Sequence, residues 1–158
     1  MSRAFVDESA SESREDNAPE LKIPLPPGAK NYMTPEGARR LRVELDALLG
    51  TAAPRLRETE RRIQYLSRMA AIMEIVEPAQ RAPDRVMFGV WVSVMEEGSE
   101  SIYRIVGVDE SAPEKGRVSW VSPIARALTG RRVGETVRVP LPTGEKVLTI
   151  RSIGWAQP

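Results

Sequence analysis

The sequence predicts an α+β protein: a short N-terminal antiparallel helical hairpin followed by an antiparallel-sheet domain with one short helix. Two observations carry this. Between Thr34 and Val76 apolar residues recur at spacings of three and four, which places them on one face of a helix. Beyond residue 85 the period changes to two and turn residues interrupt it, as in short strands. The predicted organisation is a disordered tail at 1–31, a hairpin at 32–77, a linker at 78–84 and the sheet domain at 85–158.

The tail carries Asp7, Glu8, Glu12, Glu15, Asp16 and Glu20, with Pro19, Pro24, Pro26, Pro27 and Gly28 among and after them, too little apolar surface to offset the entropy of ordering. Thr34-Pro35-Glu36 opens the first helix, with Thr34 as N-cap, Pro35 at the first helical position and an acid at the positive end. Ala38, Leu41, Leu45 and Leu48 form its apolar face, and Gly50 stops it. Glu36 with Arg40, Arg40 with Glu44 and Arg42 with Asp46 are spaced for pairs along the exposed faces. After Thr51-Ala52-Ala53 the second helix restarts at Pro54 and runs to about Val76 on Leu56, Thr59, Ile63, Leu66, Ala70 and Met73. The arms are then roughly 24 and 33 Å long.

In the second half, strands are expected at 86–95, 101–108 and 117–121. Ser122-Pro123 caps a short helix, IARALTG, closed by Gly130. The stretches 135–141 and 146–150 flank the turn Pro142-Thr143-Gly144-Glu145.

Composition narrows the function. The net charge is +1, with 23 basic against 22 acidic residues, so partners must be argued locally. The sequence has no cysteine and no histidine, which removes thiolate and imidazole catalysis and the zinc sites built on those ligands. No catalytic residue, metal ligand or cofactor site is expected. MSRAFVDESASES lacks the apolar segment of a secretory signal, and no apolar run approaches a membrane span, so no membrane partner and a cytoplasmic location are expected.

The stretches VMFGVWVSV, YRIVGVDE, VSPIARALTGRRVGETVRV and IRSIGW resemble the C-terminal domain of the bacterial Gre transcript-cleavage factors (GreA/GreB), most closely the GreB branch. NYMTPEGARRLRVELDAL resembles their first helix and RETERRIQYLSRMAAIMEIVEP the returning one, so the similarity runs over about residues 31–156. The resemblance implies an FKBP-like C-terminal domain that docks on RNA polymerase at the rim of its secondary channel, with a coiled coil reaching inward. Two acids at the tip of that coil help hold a magnesium ion in the polymerase's own active site, where hard oxygen ligands are required.

Here the acidic tip has no counterpart. Between Asp46 and Arg62 the chain has 15 residues, and the turn Gly50-Thr51-Ala52-Ala53 has no carboxylate. Glu58 and Glu60 lie inside the second arm, with Glu58 spaced to pair with Arg62. The expected protein is therefore a Gre-like elongation regulator that occupies polymerase without stimulating cleavage.

By the resemblance, the polymerase-docking residues are Ser122, Pro123, Ile124 and Arg126; position 121 is Val, where relatives often carry Asp or Asn. An alternative reading makes the same segment an N-capped helix that covers the sheet. Arg55, Arg57, Arg61 and Arg62 form a basic cluster near the hairpin tip, either a solvated face or an indirect contact with nucleic acid in the transcription complex. Trp91, Tyr103, Trp120 and Trp155 either fill the core or line a peptide-binding or isomerase pocket, and an interaction module with a different partner is a further alternative. Leu56, Ile63 or Leu66 would be the contact of a homodimer formed through the hairpin.

Overall fold

The computed structural model describes residues 22–158. The element order is β1 (Asn31–Met33), α1 (Pro35–Leu49), α2 (Arg57–Ala71), β2 (Met73–Ile75), β3 (Trp91–Glu96), β4 (Ser99–Val106), β5 (Arg117–Ser119), α3 (Pro123–Leu128), β6 (Thr136–Leu141) and β7 (Gly144–Gly154). The architecture is α+β, a helical hairpin followed by a five-stranded sheet in the order β5-β4-β3-β7-β6.

Helix α1 begins and ends where its sequence signals lie. The Thr34 hydroxyl accepts from the Gly37 N–H, Pro35 occupies the first turn, and Gly50 follows the last helical residue. Helix α2 differs at both ends. It begins at Arg57, three residues later than expected, because Pro54-Arg55-Leu56 stays outside the helix and forms part of the tip. It stops at Ala71, because Met73–Ile75 leaves the helical path to pair in parallel with Asn31–Met33. The arms are thus 15 residues each, roughly 22 Å.

This two-strand ribbon closes the base of the hairpin. Asn31 N–H donates to the Ile72 carbonyl at 2.8 Å and Val76 N–H to the Met33 carbonyl at 2.9 Å. Met33, Ala38, Leu41, Leu66 and Met69 form the buried core of the hairpin. Residues 22–31, expected within the tail, take part in this unit: Ile23 and Leu25 pack against that core and Asn31 is fully buried. The tail expectation for residues 1–21 lies outside the described residues.

The sheet is mixed, not wholly antiparallel, because β5 runs parallel to β4. The expected strand at 86–95 begins only at Trp91; Gly89, with φ of +87°, turns the chain just before it. In β6 and β7 the period-two pattern holds, with Val137, Val139, Leu148 and Ile150 inward. Helix α3 lays Ala125 and Leu128 on the same core. Gly116 is required as glycine: its φ is +71° and a Cβ there would overlap the Ile102 carbonyl oxygen.

Of the pairs expected along α1, Glu36 with Arg40 and Arg40 with Glu44 give way to pairs between elements, and Arg42 with Asp46 forms no ion pair among the described residues. Glu44 accepts both arms of the Arg62 guanidinium, at 2.6 and 3.0 Å. Glu36 lies 3.8 Å from Arg104, and Arg40 lies 3.9 Å from Glu110. The Glu110 carboxylate is buried at the junction of hairpin and sheet domain, where it accepts from Thr34 N–H at 3.0 Å, from the Thr34 hydroxyl and from Gly107 N–H at 2.9 Å.

Candidate functional site

Two regions hold the residues singled out in the sequence. The first is α3 and the turn before it. The Ser122 hydroxyl accepts from Ala125 N–H at 3.3 Å and so caps the helix. With Ala125 and Leu128 turned into the core, Pro123 and Arg126 stand exposed, and Ile124 is half-buried against the core. Cap and display are therefore two results of one local fold. Val121, half-buried, offers no side-chain polar group beside Ser122.

Arg126 also lines a groove of about 450 Å³ with Tyr32, Val76, Phe88, Ile105, Trp120 and Thr129. Tyr32 meets Trp120 edge to face, with ring centroids 5.3 Å apart. The groove joins the hairpin base to the sheet domain, and the sequence hid it because its lining comes from six separate segments of the chain. The Trp120 indole N–H is buried with no hydrogen-bond partner among the described residues. The core itself is aliphatic; Tyr103, Trp120 and Trp155 pack at its margin. Trp91 is half-exposed and faces the Arg104 guanidinium at 5.6 Å.

The second region is the hairpin tip, residues 50–56. The Arg55 guanidinium donates to the Leu49 carbonyl at 2.8 Å and to the Thr51 hydroxyl at 3.3 Å, satisfying the end of α1. Arg62 is held by Glu44, not by Glu58 as its spacing predicts. That pairing keeps the Glu44 carboxyl below its ordinary range, through the hydrogen bond from Arg62 first. The four arginines therefore do not act as one cluster: Arg55 and Arg62 serve the hairpin, while Arg57 and Arg61 are exposed without an ion pair among the described residues.

Glu58 and Glu60 lie in the first turn of α2, closer to the tip than expected because the helix starts late. Being two residues apart, they point about 200° apart around the helix and cannot converge on one ion. Among the described residues no group of three or more acids is placed to hold a metal. Leu56 is 76% exposed, but Leu66 is 2% exposed inside the hairpin core, which removes it from any self-association face.

The family model described as "Transcription elongation factor, GreA/GreB, C-term" matches residues 80–154. Transcription elongation factor GreB of Neisseria meningitidis serogroup B is 32% identical over 154 residues, covering 80% of this chain and 94% of the relative. The chain belongs to the GreA/GreB family. GreB of Yersinia pestis is 43% identical over 102 residues, 64% of this chain and 60% of the relative, so the chain spans less than two thirds of that relative's length. The GreA/GreB factor structure from Nitrosomonas europaea is 23% identical and covers 79% of this chain and 99% of its own, with a TM-score of 0.42. In the Neisseria alignment the 154 positions exceed the 80% of this chain that they take in, so that GreB carries residues within the aligned region that have no counterpart here. Among the described residues no helix is long and apolar enough to cross a membrane.

Proposed function

We propose that this Gre-family chain is a transcription elongation regulator that anchors on RNA polymerase near the secondary channel through its C-terminal domain and does not stimulate transcript cleavage. The observation that carries the reading is the tip: from Gly50 to Leu56 there is no carboxylate, and the side chain placed there, Arg55, is a cation spent on capping α1. A factor that assists cleavage must bring oxygen ligands to a magnesium ion. This tip brings none, and Glu58 and Glu60 diverge.

The anchor is assigned to Ser122, Pro123, Ile124 and Arg126, of which Pro123 and Arg126 are exposed and Ser122 and Ile124 half-buried, and Arg57 and Arg61 are cations left facing outward for nucleic acid or an acidic channel wall. Occupancy is then the mechanism: the domain binds, the stub fills the channel mouth, and the metal receives no added ligand.

The test is transcript cleavage in halted polymerase complexes. This protein alone should leave cleavage at its basal rate, and in excess it should slow cleavage driven by an active Gre factor. Stimulation by the protein alone, abolished by Glu58→Ala with Glu60→Ala, would overturn the reading; so would an active factor left unhindered at any excess.

A further inference from the structure

We infer that Glu110 is a positioning residue, a lock that fixes the direction of the hairpin relative to the sheet domain, and that Gly37 and Gly107 are the space made for it. What the lock means for polymerase rests on the occupancy reading above; the lock itself does not.

The carboxylate and its partner Thr34 are 76 positions apart, one in the sheet domain and the other at the first turn of the hairpin. Three protein donors reach the two oxygens: Thr34 N–H, the Thr34 hydroxyl and Gly107 N–H. Arg40, 3.9 Å away and largely exposed, faces it from the side of α1. A buried carboxylate is tolerated only when its hydrogen bonds are made, and bonds to a charged acceptor are the stronger kind. Swinging the hairpin away would strip two of the three donors at once.

The same Thr34 hydroxyl accepts from Gly37 N–H, so the group that grips Glu110 also starts α1. Helix direction is set at the lock.

The glycines supply the independent observation. A Cβ on Gly37 would overlap the Glu110 carboxylate, and one on Gly107 would lie 2.8 Å from its Oε2 and 2.6 Å from the Tyr32 carbonyl oxygen. Gly37 sits inside a helix, where alanine is ordinarily the better residue. Its lack of a side chain is thus explained by the carboxylate. Two other polar ties across the junction, Tyr65 to Asp109 and Arg104 to Glu36, are more open to water and correspondingly weaker, and the contact of Tyr32 with Trp120 is apolar and less directional than a bonded carboxylate.

The chain has no cysteine, so Ala52→Cys with Thr143→Cys puts one spin label on the tip and one on the sheet domain of the full-length protein. Electron–electron distance measurement should give one narrow distribution. Glu110→Ala should at least double its width, and Gly37→Ala, which evicts the carboxylate without removing it, should do the same. Thr34→Val takes their place should either fail to fold, as judged by circular dichroism. The melting temperatures sharpen the test: Gly37→Ala should lower Tm in the native background and raise it in Glu110→Ala, where the Cβ has room. A distribution that stays narrow in a folded Glu110→Ala, or Gly37→Ala raising Tm in both backgrounds, would overturn the lock. These measurements use free protein, so their failure is distinct from failure of the polymerase competition.

Discussion

Replacing Tyr65 by Phe removes one hydroxyl and one bond between hairpin and sheet domain, and its cost can be worked out. The phenol donates to Asp109 Oδ1 at 2.7 Å. A hydrogen bond to a charged acceptor contributes about 1.5–3 kcal/mol when shielded. Here Asp109 is exposed and Tyr65 only half-buried, so solvent screening reduces the expected loss to about 1 kcal/mol. The ring stays, and with it the contact beneath the Arg62 guanidinium. Burial first, then the bond to Asp109 and its charge, raise the Tyr65 phenol above its ordinary value of 10.0. A group whose folded pKa is raised stabilises fully below its unfolded pKa and loses that contribution as pH rises through the folded value. Urea unfolding at intervals from pH 7 to pH 11 should therefore show a gap of about 1 kcal/mol between native protein and Tyr65→Phe, constant up to about pH 10 and shrinking above it. No gap at pH 7, or one that ignores alkali, would refute the reasoning.

Other substitutions probe other parts of the fold. Leu128→Ala, on the buried face of α3, should cost about 2–5 kcal/mol because the side chain is fully buried, and a Tm close to native would show that α3 does not rest on the sheet. Glu44→Gln should cost less than about 1 kcal/mol at neutral pH, since both partners in the pair are half-exposed. The Glu44 pKa is lowered, so its contribution is present above the ordinary value of 4.5 and disappears as pH falls through the folded value; unfolding curves of variant and native protein should converge in acid. Gly116→Ala should destabilise by more than about 1 kcal/mol in a thermal melt, through positive φ and the Ile102 carbonyl together.

What the sequence revealed was mostly local. Thr34-Pro35 and Ser122-Pro123 mark helix starts because a capping hydroxyl and a proline act within one turn. Pro54 misleads for the same reason: it is acceptable in a first helical turn but does not compel one, and Arg55 is instead drawn back to the end of α1. Met73-Glu74-Ile75 keeps a helical spacing, yet pairing with Asn31–Met33, distant in sequence, overrides it. At the candidate site, the exposure of Pro123 and Arg126 follows from the α3 pattern alone. The Glu110 junction, the groove beside Trp120 and the parallel place of β5 do not, since each depends on segments brought together only by the whole fold. Glu110 lay within the motif YRIVGVDE, but nothing near it in sequence foretold a burial partner at Thr34.

The short parallel ribbon at the base of the hairpin makes its length a variable separable from everything else. Both arms leave and return through β1 and β2, tied by backbone bonds that do not depend on what lies beyond. Seven residues added to each arm would lengthen the projection by roughly 10 Å and return the apolar seam to nearly the same face. The sheet domain would be undisturbed. A lineage can therefore change the length of the hairpin by trimming or extending its far end in matched steps, and the sheet domain need not change with it.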